Sequence, residues 1–344
     1  MKEKAEDKIT TIDLLNTIQE EKKYTPLPLI EKNPYYRPFK QNTITDNITK
    51  GLIAPKQLSL FDGGYATTNL DPRANPDFVL CIEQWNEIAP LLSKEVAKDL
   101  RTNQSTDKLL KCLLIKLAET GFRSMTASIS LKEYAELTSK KDMKELRKRV
   151  KVDLATLKRV KFSYTPKHKT RYNRDNYTNI YLFGGTEKIE NGHIYFKFNE
   201  DFFKIFAEQP SFLYFPVEGL QFNERKNPHS YMLFSRIVSH KRINTGKKNE
   251  NIIGVKTLYD YCVSLPRYDQ VNGRFSQLIL EPFERDLDVI KSFSWHYDTQ
   301  EPPKSFNEWL QSNIVIDWKL EFPKIEKKKS RKPRKNKVVN PVES

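Results

Sequence analysis

The chain has 344 residues, with 59 Lys+Arg against 44 Asp+Glu, a formal net charge of +15 and a pI of about 9.4. That length accommodates two ordinary domains plus tails, and the charge calls for an anionic partner, nucleic acid ahead of an anionic membrane surface. No run of 18 apolar residues occurs and Met1-Lys2-Glu3-Lys4 leads into polar sequence, which argues against a membrane span or a signal-peptide core and for a soluble cytoplasmic protein.

In chain order, residues 1–75 are expected to form a disordered extension apart from a short helix over 9–22. Proline and scattered charge dominate it: Pro26, Pro28, Pro34, Pro38 and Pro55, then Gly63-Gly64. A first folded unit is expected over 76–225. Ile82, Trp85, Ile88 and Leu92 at roughly helical spacing predict a helix over 78–92. Leu109, Leu110, Leu113, Leu114 and Leu117 predict a buried stripe on a helix over 106–119, ended by Gly121. Cys81, Cys112 and Cys262 are isolated and read as buried reduced cysteines rather than a disulfide or zinc site.

Ser130-Leu131-Lys132-Glu133-Tyr134-Ala135 is a helix start: the hydroxyl caps backbone N–H groups and the acid three residues on caps in return. The pattern recurs as Thr257-Leu258-Tyr259-Asp260-Tyr261-Cys262. Each short helix is followed by a turn, a longer amphipathic helix and a strand, closing on Leu157-x-x-Val160-Lys161-Phe162 and Leu287-x-x-Ile290-Lys291-Ser292-Phe293. That is the outline of a winged helix-turn-helix, carried twice. In the first unit, strands over 178–183 and 193–198 around a connection containing Gly184-Gly185 and Asn191-Gly192 read as the wing, followed by a helix over 200–208 and a hydrophobic connector over 212–222. A second unit over 226–322 opens with a helix over 227–243, passes through 255–263 to a long helix over 274–291, and closes with a strand over 313–322. The polar stretch 298–303 would be its wing. The expected fold class is therefore α+β: two tandem winged-helix domains, an N-terminal extension and a basic disordered tail over 323–344.

Between Ser139 and Arg174 stand fourteen cations against three acids, Asp142, Glu145 and Asp153. Projecting 140–161 at about 100° per residue separates two faces. Met143, Leu146, Val150, Leu154, Leu157 and Val160 share one side; Lys141, Lys144, Lys148, Lys151, Ala155 and Arg159 share the other. A helix so divided seats its apolar stripe on the domain and offers a major groove a row of cations, with Ala155 letting the backbone approach. A solvated charged face is the alternative, but such faces mix signs and this one is almost purely positive. Lys167, Lys169 and Arg171 extend the basic run. The second long helix buries Phe275, Ile279, Phe283, Leu287 and Ile290. Its outer face mixes Arg274, Ser276, Gln277 and Arg285 with Glu281 and Asp288, so base reading is expected only from its N-terminal half. In the tail, nine cations and one acid between Lys324 and Lys337 make a flexible arm for phosphate contact or a solubilising terminus.

These two units, the basic helix in the first, Ser230-Tyr231-Met232-Leu233-Phe234-Ser235-Arg236-Ile237 opening the second, and the proline-containing helix from Phe275 through Pro282 to Ile290 resemble the iteron-binding replication initiators of theta-replicating bacterial plasmids. The resemblance implies binding to repeated origin sites in double-stranded DNA, melting of AT-rich DNA, recruitment of host helicase-loading machinery, and a homodimer that represses its own promoter. Gln57-Leu58-Ser59-Leu60-Phe61 resembles the bacterial sliding-clamp binding pentapeptide, which makes Gln57, Leu58, Leu60 and Phe61 candidate clamp contacts. No GxxxxGK[ST] occurs, and His168, His193, His229, His240 and His296 form no His-x-His pair, so neither catalysis, a metal nor a cofactor is expected. A winged-helix transcriptional regulator shares every DNA feature and remains the alternative.

Overall fold

The computed structural model describes residues 34–40, 43–53, 56–58, 65–67, 78–83, 104–164, 178–208, 212–299 and 301–323. They form a mixed α+β structure of helices and small antiparallel sheets, drawn together on one hydrophobic core.

The chain enters through β1 (Tyr36–Lys40) and α1 (Thr43–Ile53), then β2 (Lys56–Leu58), β3 (Tyr65–Thr67) and β4 (Phe78–Ile82). Over residues 34–40, 43–53, 56–58 and 65–67 this corrects the expected disorder of 1–75; the rest of that stretch, with the helix expected over 9–22, lies outside the described residues, as does the basic tail from 324 onward. Phe39, Ile48, Leu52 and Ile53 are buried among the core residues, and that apolar burial outweighs the local effect of Pro38. Strand β4 also corrects the helix expected over 78–92: its β-branched and aromatic residues pair antiparallel with a later strand, and 84–92 lie outside the described residues.

Next comes α2 (Gln104–Glu119), which carries the predicted leucine stripe and is buried on nearly every side. Gly121, at φ +66°, ends it: Gly121 N–H reaches Ala118 O at 3.0 Å and Phe122 N–H reaches Leu117 O at 3.0 Å, a Schellman closure. Then follow β5 (Thr126–Ser130), α3 (Leu131–Leu137) and α4 (Met143–Lys158). Ser130 Oγ accepts the Glu133 N–H at 3.0 Å, as its position predicts, but the Glu133 carboxylate goes to Lys116 at 2.9 Å rather than back to the cap. Asp142 caps α4 by accepting the N–H groups of Lys144 and Glu145. The basic helix is thus shorter than the 140–161 projection, and Val160 and Lys161 belong to β6 (Val160–Tyr164).

Beyond β7 (Thr178–Tyr181), β8 (Phe183–Glu190) and β9 (His193–Phe198) form a hairpin turning at Asn191 (φ +49°) and Gly192 (φ +76°). Gly184-Gly185 are therefore inside β8 rather than in the connection. A Cβ on Gly184 would come within 2.2 Å of Phe198 O, so only glycine permits that approach. The strands expected over 178–183 and 193–198 fall in different sheets: one runs β2-β3-β4-β6-β7, the other β5-β9-β8.

After α5 (Glu200–Glu208), the expected connector is instead β10 (Phe212–Pro216), paired with β1, and a short α6 (Glu218–Gln221). The second unit holds α7 (Ser230–Asn244), β11 (Ile252–Gly254) and α8 (Val255–Tyr261), then a 3-10 turn (Tyr268–Gln270), a π-helical turn (Ser276–Leu280) and α9 (Glu281–Asp288). It ends in β12 (Phe293–Tyr297), α10 (Phe306–Gln311) and β13 (Asn313–Trp318). Thr257 lies inside α8, whose cap position is Gly254, so its expected capping role does not exist. Helix α10, unexpected from the sequence, stands between the stretch 298–303 and β13 and buries Trp309 completely among Tyr259, Phe275 and Phe283.

The two units share one order of elements. The first runs α2-β5-α3-α4-β8-β9, with β6 and β7 inserted after α4, and has sheet order β5-β9-β8; the second runs α7-β11-α8-α9-β12-β13, with α10 inserted between β12 and β13, and has sheet order β11-β13-β12. In each, the strand before the helix pair joins the far strand of the hairpin. Helix α7 meets α2 through buried polar groups: the Tyr231 hydroxyl donates to Asp107 and Lys111 Nζ donates to Ser235 Oγ at 3.5 Å, while Lys108 Nζ donates to Phe222 O, in the segment before α7, at 2.7 Å. It is fastened to α9 by Asp286, which accepts the His229 N–H at 2.7 Å.

Candidate nucleic-acid interface

Helix α4 is held by its apolar stripe and by one buried carboxylate. Leu146, Val150, Leu154 and Leu157 are buried and Met143 half-buried. Asp153, fully buried, accepts from Ser105 at 2.9 Å and Thr106 at 2.7 Å on α2, and the Arg149 guanidinium stands 3.2 Å away. Burial raises the Asp153 carboxyl above the usual carboxylate range, against the pull of Arg149 and the two hydroxyls. Two of the three acids in the basic stretch are thereby used up, Asp142 as cap and Asp153 in the interior.

What remains outward is mostly cationic, with the third acid, Glu145, exposed among the lysines in the first turn. Lys141, Lys144, Lys148 and Lys151 are exposed and have no ion-pair partner among the described residues; Ala155 and Arg159 are half-buried on the same side. Lys141 lies in the turn before α4, beside its N-terminus. Arg159 folds back, one Nη donating to Ala155 O at 3.2 Å. Lys167, Lys169 and Arg171 lie outside the described residues.

The C-terminal half of α4 and strand β8 form a groove lined by Lys151, Ala155, Lys158, Arg159, Glu187 and Lys188. Lys158 and Lys188 escaped the sequence reading. The first sits at the margin of the projected outer face, and the second reaches α4 only because β8 folds against it. Lys158 pairs with Glu187 at 2.8 Å and Lys188 with Glu190 at 2.6 Å. Arg147 is also exposed, on the flank of the row beside Lys144 and Lys151. Two further cations of the run are structural: Arg149 with Asp153, and Lys161 with Glu83.

In the second unit Arg274, Ser276 and Gln277 are exposed together at the start of the helical stretch. The π turn there is the physical answer to Pro282. Proline has no N–H to donate and its ring opposes the carbonyl four residues back, and the Glu281 N–H bonds to Ser276 O, five residues back. Arg285 is set apart, its guanidinium 3.0 Å from the buried Asp286. The acids on this face are partly engaged: Asp288 accepts from Trp295 Nε1 and Glu284 from the Tyr297 hydroxyl, each at 2.9 Å.

Of the clamp-like peptide, Gln57 and Leu58 fall in β2, opposite Ala66 and Tyr65 of β3; Leu60 and Phe61 lie outside the described residues. No group of three or more His, Cys, Asp or Glu among the described residues could hold a metal ion. Among them, too, no helix is long and apolar enough to cross a membrane.

No protein-family model and no curated protein matches the chain. A crystal structure of RctB domains 2-3 aligns with it at a TM-score of 0.39 and 9% identity, covering 79% of this chain and 96% of that one. A selenomethionine derivative of RctB domains 2 and 3 aligns at 0.41 and 10%, covering 80% and 100%. Similarity at that level carries no argument about fold or function.

Proposed function

We propose that this chain is a sequence-specific binder of double-stranded DNA built from two winged-helix units, and that it initiates plasmid replication of the theta type at repeated origin sites. The observation that carries the DNA reading is the face of α4: a well-seated, capped helix presenting Lys141, Lys144, Lys148 and Lys151 with no acid paired to them among the described residues. The repeated element order, with the first strand joined to the far strand of the hairpin in both units, supports the winged-helix assignment. On this reading α4 enters a major groove, the β8–β9 hairpin stands over the adjacent backbone, and Arg274, Ser276 and Gln277 of the second unit take a second stretch of the site.

The protein acts by assembly rather than catalysis, bringing host replication proteins to the origin, and a homodimer is the form that would occupy a promoter. Gln57, Leu58, Leu60 and Phe61 are proposed as the sliding-clamp contact. Replacing Leu60 and Phe61 together by Ala should abolish replication while duplex binding is retained; normal replication by that variant removes the clamp link.

Footprinting on DNA flanking the chain's own gene, across a salt series, tests the main reading. Regularly spaced protection over direct repeats, weakening steeply with salt, is expected. Protection of a single inverted repeat over a promoter would assign a transcriptional regulator instead. A salt-sensitive smear would remove sequence-specific reading altogether.

A further inference from the structure

The groove between α4 and β8 contains a carboxylate that DNA binding does not call for. Glu187 faces α4 from β8, its Oε1 2.8 Å from Lys158 Nζ, and the same ammonium lies 5.4 Å from the centre of the Phe183 ring. The Lys158 side chain is 46% exposed and the Glu187 side chain 24%, so the pair is open to solvent and contributes little to stability. Helix α4 has no need of it as a strut, being seated already by its leucines and the Asp153 network. Around the pair stand Lys151, Arg159 and Lys188, the cations that line the groove.

We propose that Glu187 is an internal competitor for DNA phosphate. It occupies Lys158 in the free protein and is displaced when a duplex enters the groove, so it lowers affinity by the cost of breaking that pair. This rests on the reading of α4 as the DNA-contacting helix. A phosphate brought to Lys158 must replace a carboxylate already bound there, and until Lys158 turns to the phosphate the two anions share the same few ångströms.

The test is fluorescence anisotropy of the full chain with a short labelled duplex across a KCl series. E187Q should bind about three- to tenfold more tightly at low salt, with a similar salt slope because Lys158 meets the phosphate in both complexes. Its melting temperature should match that of the native chain, and the gain should vanish in a K158Q background. Equal binding by E187Q and the native chain overturns the proposal, as does weaker binding. A gain that persists undiminished with K158Q also overturns it, because Glu187 would then repel phosphate directly rather than compete for Lys158. A native chain that binds no duplex at any salt overturns the DNA reading itself, a result distinct from the other three.

Discussion

Lys148 and Arg159 are eleven residues apart on α4 and its C-cap, three helical turns, which places them on one side about 16 Å apart along the axis. Reversing both charges should therefore act at two separated points of one DNA contact. Lys148→Glu with Arg159→Glu is expected to lower specific duplex affinity by at least about a hundredfold, with circular dichroism and melting little changed. Unchanged affinity would remove α4 from the interface. The cationic row was legible in the sequence because charge and a period of 3.6 coincide there. What was not legible was which cations are already spent. Arg149 looks like Lys148 on paper, yet it answers a buried Asp153, and that partner lies against Ser105 and Thr106 of a helix some 45 residues earlier. Lys188 was invisible for the opposite reason: only the folding of β8 beside α4 gives it a place in the groove.

At the level of single elements, Ser130 and Thr257 occupy matching places in two similar sequence segments but do different things. Ser130 Oγ accepts the Glu133 N–H at the start of α3, whereas Thr257 is already inside α8, behind Gly254. Ser130→Ala should cost about 1 kcal/mol in denaturant unfolding, whereas Thr257→Ala should be neutral or slightly stabilising. Equal losses would mean that the cap geometry is not what stabilises α3. Local chemistry located both short helices, but which residue starts each was decided by the strand before it. In the second unit β11 ends at Gly254 and the helix begins at once. The same limit explains β4 and α10. Phe78-Val79-Leu80-Cys81-Ile82 suits a helix or a strand by apolarity, and pairing with β6, about 80 residues later, makes it a strand. Six residues around Trp309 are too few to show a period; they form a helix because the indole fills the space between α8 and α9.

Across the whole molecule, the buried face of α2 toward 215–231 carries charges where apolar side chains would be cheaper. On α2, Lys108 is 1% exposed and its ammonium depends on Phe222 O at 2.7 Å and Glu224 at 3.8 Å. Lys111 lies over the Phe215 and Tyr231 rings at 4.4 and 4.6 Å. Burial brings the Lys108 ammonium down to about 8 from an ordinary 10.5, and lowers Lys111 in the same direction. Below pH 8 Lys108 is charged in both the folded and the unfolded chain, and the folded state bears the full cost of the buried charge. Between about 8 and 10.5 the folded protein loses this proton while the unfolded chain keeps it, so stability rises with pH through that window. From about pH 9 the buried Cys112 thiol, pushed up by burial to about 12 from an ordinary 9.0, and above pH 10 the buried tyrosines Tyr134, Tyr231 and Tyr261, raised by burial as well, act in the opposite sense and close the window. Denaturant unfolding should thus show stability increasing from pH 7.5 to about 9, with Lys108 contributing on the order of 1 kcal/mol over that range. In Lys108→Met that part of the slope disappears, whatever the variant's stability at neutral pH, where the loss of the bond to Phe222 O and the relief of a buried charge oppose each other. An equal slope in the variant would mean that solvent reaches this face of α2 and the ammonium is hydrated there. A shallower slope would show that α2 carries a charge the fold retains at a cost, in a place where no DNA contact requires it.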